Sequence, residues 1–131
     1  MPLFVWSDRY TVGNAEIDAQ HRHLFTIFNR LYEECCLPDS HLDIYKTLDE
    51  LIDYAAFHFA SEQQYMIDID YPDLDRQLQE HLYFTNEVLR LVQDRDKSTT
   101  DLTRDTIAFL GKWLLHHVAE EDRKIVVPRS P

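Results

Sequence analysis

Four stretches of this 131-residue chain repeat apolar residues at steps of three and four, the spacing of one face of an α-helix. The first stripe runs Ile17, His21, Leu24, Phe28, Leu31, Cys35. The second runs Leu48, Leu51, Ala55, His58, Glu62, Met66, and the third Leu74, Gln77, His81, Phe84, Val88, Leu91. The fourth runs Thr103, Ile107, Leu110, Leu114, His117, Glu121. These stripes predict helices over roughly 17–36, 40–69, 72–96 and 100–126, after an N-terminal arm at 1–16. A break around Pro38 leaves Asp39 or Ser40 as the cap of the second helix. Asp70 or Tyr71 is expected to cap the third, with Pro72 in its first turn. Only two glycines, Gly13 and Gly111, are present. So few turn residues argue against an all-β fold. The expectation is an all-α, antiparallel up-down-up-down four-helix bundle, one domain over 1–131. Trp6, with Phe4 and Val5, is expected to pack across it.

The unusual feature is what interrupts the apolar stripes. His21, His58, Glu62, Gln77, His81 and His117 all fall in phase with leucine, isoleucine and phenylalanine. Burying a polar group without a partner costs several kcal/mol, and a carboxylate costs more. One histidine on such a stripe is commonly a satisfied core residue, but here every helix supplies one. A shared cause accounts for all of them, and a metal ion replaces water for every ligand at once. His58 and Glu62 are four apart, about 40° from each other on one helix face, and Gln77 and His81 repeat the spacing. Imidazole with carboxylate suits iron, zinc, copper or nickel. The set is too large for one tetrahedral zinc, and two bridged irons use it more naturally. A ferritin-like site needs glutamate three residues before histidine. The residues there are Asp18, Gln20, Pro38, Ala55, Leu78, Trp113 and Leu114, so that site fits poorly.

The net charge of −11 makes nucleic acid and anionic membrane poor partners. No run of ~18 apolar residues is present, and the first eight residues do not read as a signal peptide. Cys35 and Cys36 are neighbours that cannot readily bond to each other, and they read as small buried residues in a reducing, cytoplasmic setting.

Four segments then stand out: Ile17 to His21, His58 with Phe59, Ala60, Ser61 and Glu62, Glu80 with His81, and Trp113 to Val118 followed by Asp122. In this order they resemble the haemerythrin family, specifically its bacterial branch, over nearly the whole chain. The resemblance implies two iron ions (Fe2+/Fe3+) with a bridging oxo or hydroxo group. His21 and His58 would hold the iron that keeps an open position, and His81 and His117 the other. Glu62 and Asp122 would bridge them, and Leu114 would line the pocket for dioxygen or a similar ligand such as nitric oxide or azide. The implied role is dioxygen carrier, store or sensor rather than enzyme.

Two points depart from that pattern. Asp122 lies about 140° round an ideal helix from His117, so it needs a π-type turn, whereas Glu121 is in phase. Gln77 stands where the family has a further histidine. A neutral amide there either still ligates or bonds water, or it opens a site on the second iron and favours redox enzyme chemistry with dioxygen, peroxide or nitric oxide. His23, His41 and His116 are expected at the surface or rim, and Trp113 and Tyr65 in packing roles.

Overall fold

In a computed structural model, residues 5–7, 10–35, 43–94 and 98–118 are described. They contain four α-helices: α1 (Ala15–Cys35), α2 (Ile44–Asp68), α3 (Leu74–Gln93) and α4 (Thr99–His116). Each helix packs on its chain neighbours, and α1 closes the ring against α4. Residues early in α1 and α3 meet residues late in α2 and α4, as the site below shows. The helices therefore alternate in direction, which is the expected antiparallel bundle.

The expected stripes are the core. Ile17, Leu24, Phe28, Leu31, Leu48, Leu51, Ala55, Met66, Phe84, Val88, Leu91, Leu110 and Leu114 are all buried. In α4 the phase differs at the start: Leu102 and Thr106 are buried, while Thr103 and Ile107 are half-buried. The Thr106 hydroxyl donates to the Leu102 carbonyl at 2.8 Å, so it enters the core without an unmet bond. Cys35, expected inside, is exposed at the last residue of α1.

Helix boundaries follow local side-chain bonds. Asn14 accepts from the amides of Glu16 and Ile17 at 3.0 and 3.1 Å and starts α1 two residues early. Asp43 accepts from Tyr45 and Lys46 and starts α2; the expected caps Asp39 and Ser40 lie outside the described residues. Asp70 does not cap α3. It takes the left-handed conformation, φ 52°, and closes α2 while the Tyr71 amide donates to the Met66 carbonyl at 2.9 Å. Asp73 then precedes α3, so Pro72 lies just outside the helix. α3 ends at Gln93 rather than near residue 96. Ser98 caps α4 through the Asp101 amide at 3.1 Å.

The arm packs as expected at one residue and not at another. Trp6 is half-buried, with its ring 5.5 Å from Phe25 and 5.6 Å from Tyr10, and the Arg22 guanidinium lies over it at 5.1 Å. Val5 is 66% exposed, and Phe4 lies outside the described residues. The Val12 amide donates to Asp18 at 2.8 Å, which ties the arm to the first turns of α1.

Leu48 is fully enclosed, so Leu48→Ala should cost about 2–5 kcal/mol in denaturant unfolding. Gly111 marks a close approach of α4 to α1. A Cβ there would sit 3.2 Å from the Phe28 ring, which is itself buried and cannot swing away. Gly111→Val should therefore destabilise by about 1–3 kcal/mol in the same measurement.

Candidate metal centre

The antiparallel order brings the polar stripe residues to one end of the bundle. Glu62, late in α2, is 0% exposed and sits at the middle of the cluster. Its two oxygens divide the histidines. Oε2 lies 3.2 Å from His21 Nε2 and 3.3 Å from His58 Nε2. Oε1 lies 2.8 Å from His81 Nε2 and 3.1 Å from His117 Nε2. Helices α1, α2 and α3 thus contribute one imidazole each and the C-cap residue of α4 the fourth, and all four rings turn the same nitrogen inward.

A second layer sets those ring orientations. His58 Nδ1 lies 2.8 Å from Gln20 Oε1, and Gln20 itself is buried. His81 Nδ1 lies 3.2 Å from the Gln63 amide nitrogen. Phe59 stacks on His81 with ring centres 3.9 Å apart, and Trp113 stacks on His117 at 4.2 Å. At His117 and Val118 the backbone widens into a π-type turn, the distortion that a ligand at Asp122 requires. Asp122 and the in-phase Glu121 both lie outside the described residues.

The remaining expectations fall as follows. Gln77 is 0% exposed, one turn before His81 on α3. Leu114, in the last turn of α4, is 0% exposed and lies three residues before His117. His116 is at the rim, paired with Glu80 at 2.7 Å, and His23 is exposed beside Tyr54. His41 lies outside the described residues. Tyr65 packs with the small apolar group of Met66 and Tyr71. Sequence reasoning gave no role to Gln20, Phe59 or Gln63. Gln20 was within reach, since it continues the spacing of Ile17 and Leu24; Gln63, half-buried beside Glu62, carried no such signal.

The donor set fits metal ions. The ligand atoms of His21, His58, Glu62 and His117 all lie within 4.8 Å of one another. Five side chains at 0–4% exposure offer four ring nitrogens and two carboxylate oxygens, with no thiolate among them. Nitrogen with oxygen at this number exceeds what one tetrahedral ion uses.

Electrostatics favour a neutral ring at His58. Burial holds His58 below its ordinary value of 6.5; Glu62 opposes that shift, and His21 and His117 add to it. On acidification the unfolded chain therefore takes up this proton before the folded one does. Stability of the metal-free protein should fall as pH drops below 6.5. Urea midpoints from neutral to mildly acidic pH measure this, and a midpoint that rises on acidification would contradict it.

Comparison with known proteins finds relatives over nearly the whole chain. The family model described as the hemerythrin HHE cation binding domain matches residues 12–127. A bacteriohemerythrin of Clostridium acetobutylicum is 33% identical over 129 residues, covering 95% of this chain and 99% of that protein. A bacteriohemerythrin of Ralstonia nicotianae is 32% identical, covering 94% and 86%. A crystal structure of wild-type hemerythrin superposes with a TM-score of 0.75 at 27% identity, covering 93% and 94%.

Proposed function

This chain belongs to the haemerythrin family, and from that premise we propose that it is a non-haem di-iron protein that binds dioxygen inside the bundle, as carrier, store or sensor. The observation that carries the reading is the division of Glu62: one oxygen faces His21 and His58, the other His81 and His117. A carboxylate placed so is suited to span two ions, with two imidazoles for each. His21 and His58 would hold one iron, His81 and His117 the other, with Asp122 as second bridge beside an oxo or hydroxo group. Two bridged irons supply the electrons for holding dioxygen reversibly.

The protein's part is to bind, orient and keep dry. Glu62 offsets cationic charge where water is absent. Phe59 and Trp113 hold two of the imidazoles by stacking, and Leu114 fills the wall beside His117 with an apolar group. An apolar wall admits a small neutral ligand and keeps out the water and protons that would turn reversible binding into net oxidation. Gln77 would give its half of the centre a neutral amide in place of an imidazole, a weaker donor. We place the whole unit, arm included, in one domain working in a reducing, cytoplasmic setting. Among the described residues no helix is long and apolar enough to cross a membrane.

Iron analysis should find about two ions per chain. Absorption bands of a bridged ferric pair should appear and respond to azide, and the ferrous form should respond reversibly to dioxygen. Glu62→Ala should lose most of the iron. Protein grown with ample iron that is metal-free yet equally stable would end the reading. Gln77→His should slow autoxidation of the oxygenated form; an unchanged rate would show that Gln77 leaves no reactive opening on its side.

A further inference from the structure

The His58 ring is engaged at both nitrogens: Nε2 faces Glu62 Oε2 at 3.3 Å and Nδ1 faces Gln20 Oε1 at 2.8 Å. Which nitrogen carries the proton decides whether Nε2 offers a lone pair to an ion or a hydrogen to Glu62. A chain of bonds leading away from the centre decides it. The Ser61 hydroxyl donates its one proton to the Phe57 carbonyl at 3.1 Å. Its oxygen is then an acceptor, and the Gln20 amide nitrogen donates to it at 3.1 Å. The same nitrogen reaches Glu16 Oε1 at 3.5 Å. Two acceptors on the nitrogen side fix which way the Gln20 amide points and leave Oε1 for His58. An amide oxygen can only accept, and although the Glu62 carboxylate lies 3.3 Å from Nε2 it makes no hydrogen bond there, so a neutral His58 ring holds its proton on Nδ1.

We propose that Gln20 is a positioning residue that locks His58 in its Nδ1–H tautomer and so aims an Nε2 lone pair into the cluster before any ion arrives. With Gln20 at 3% and His58 at 0% exposure, water does not compete for the bond. No tautomer exchange then stands between the apo-protein and its first metal contact at this ring. His81 lacks such a lock: it meets an amide nitrogen from the half-buried Gln63, with no oxygen fixed in place. The consequence for metal uptake rests on the di-iron reading; the tautomer does not.

Nitrogen NMR of the histidine rings in metal-free protein tests the tautomer directly. Wild type should show His58 as a neutral ring protonated at Nδ1 and bare at Nε2. Gln20→Met keeps the side-chain length but removes the acceptor, and should move His58 toward the Nε2–H form. Gln20→Glu supplies a carboxylate acceptor and should restore the Nδ1–H form, while Gln63→Met should leave His58 unchanged. In an anaerobic titration with ferrous ion alone, Gln20→Met should bind about 10–100-fold more weakly, with Gln20→Glu near wild type. Wild-type His58 protonated at Nε2 overturns the proposal, as does a folded Gln20→Met protein that matches wild type in both measurements. If Gln20→Met fails to fold, the wild-type spectrum and Gln20→Glu decide. Wild type that takes up no ferrous ion overturns the di-iron reading, and the ring spectra then judge Gln20 alone.

Discussion

A carboxylate with no exposure to water is the constraint on which the rest of this bundle depends. Glu62 sits where desolvation of its charge would cost several kcal/mol, so its surroundings must compensate. Four imidazole nitrogens gather within 3.3 Å of its oxygens, and a cation held among them would supply that compensation. That arrangement fixes more than a site. It sets the rotation of each helix about its own axis, because a turn of one residue would swing the imidazole away and leave Glu62 uncompensated. Apolar packing alone tolerates such slippage better than a shared charge does. The polar centre thus specifies the packing that surrounds it, and an incoming cation would find its ligands already gathered.

Rigidity in the next layer comes from two kinds of contact. Flat aromatic faces hold His81 and His117, while directional bonds from amides hold His58 and approach His81. Stacking limits the tilt of a ring and says nothing of its protons. A hydrogen bond to Nδ1 sets both, which is why Gln20 carries more chemical information than Phe59 although both are buried.

Much of this was legible in the sequence, and the reason is periodicity. His21, His58, Glu62, Gln77, His81 and His117 betrayed their burial by keeping step with leucine and phenylalanine, and the structure encloses all six. The helix ends were less legible. Asn14, Asp43 and Ser98 each start a helix by one or two short-range bonds that several nearby residues could have made equally well. Asp70 showed why composition misleads there: the same side chain that caps helices also tolerates the left-handed turn that ends them. The opening of α4 slipped by one residue because threonine and isoleucine at 103 and 107 looked as suitable as Leu102 and Thr106. Gln20 kept the apolar spacing, yet its role depends on His58, which is 38 positions away and invisible to any local pattern.

Because the helices alternate, every ligand lies at one pole of the bundle, and the turn through Asp70 that joins α2 to α3 lies at that same pole. Glu62 and His81 are therefore coupled through the backbone as well as through space. Cohesion along the long axis is uneven by construction: one pole is held by charge and, in the proposed holo form, by ions, and the other by apolar contacts around residues such as Leu48. In the proposed holo form, separation of the helices would start from the apolar pole and be arrested at the one the ions hold, like a zip with its stop at the bottom.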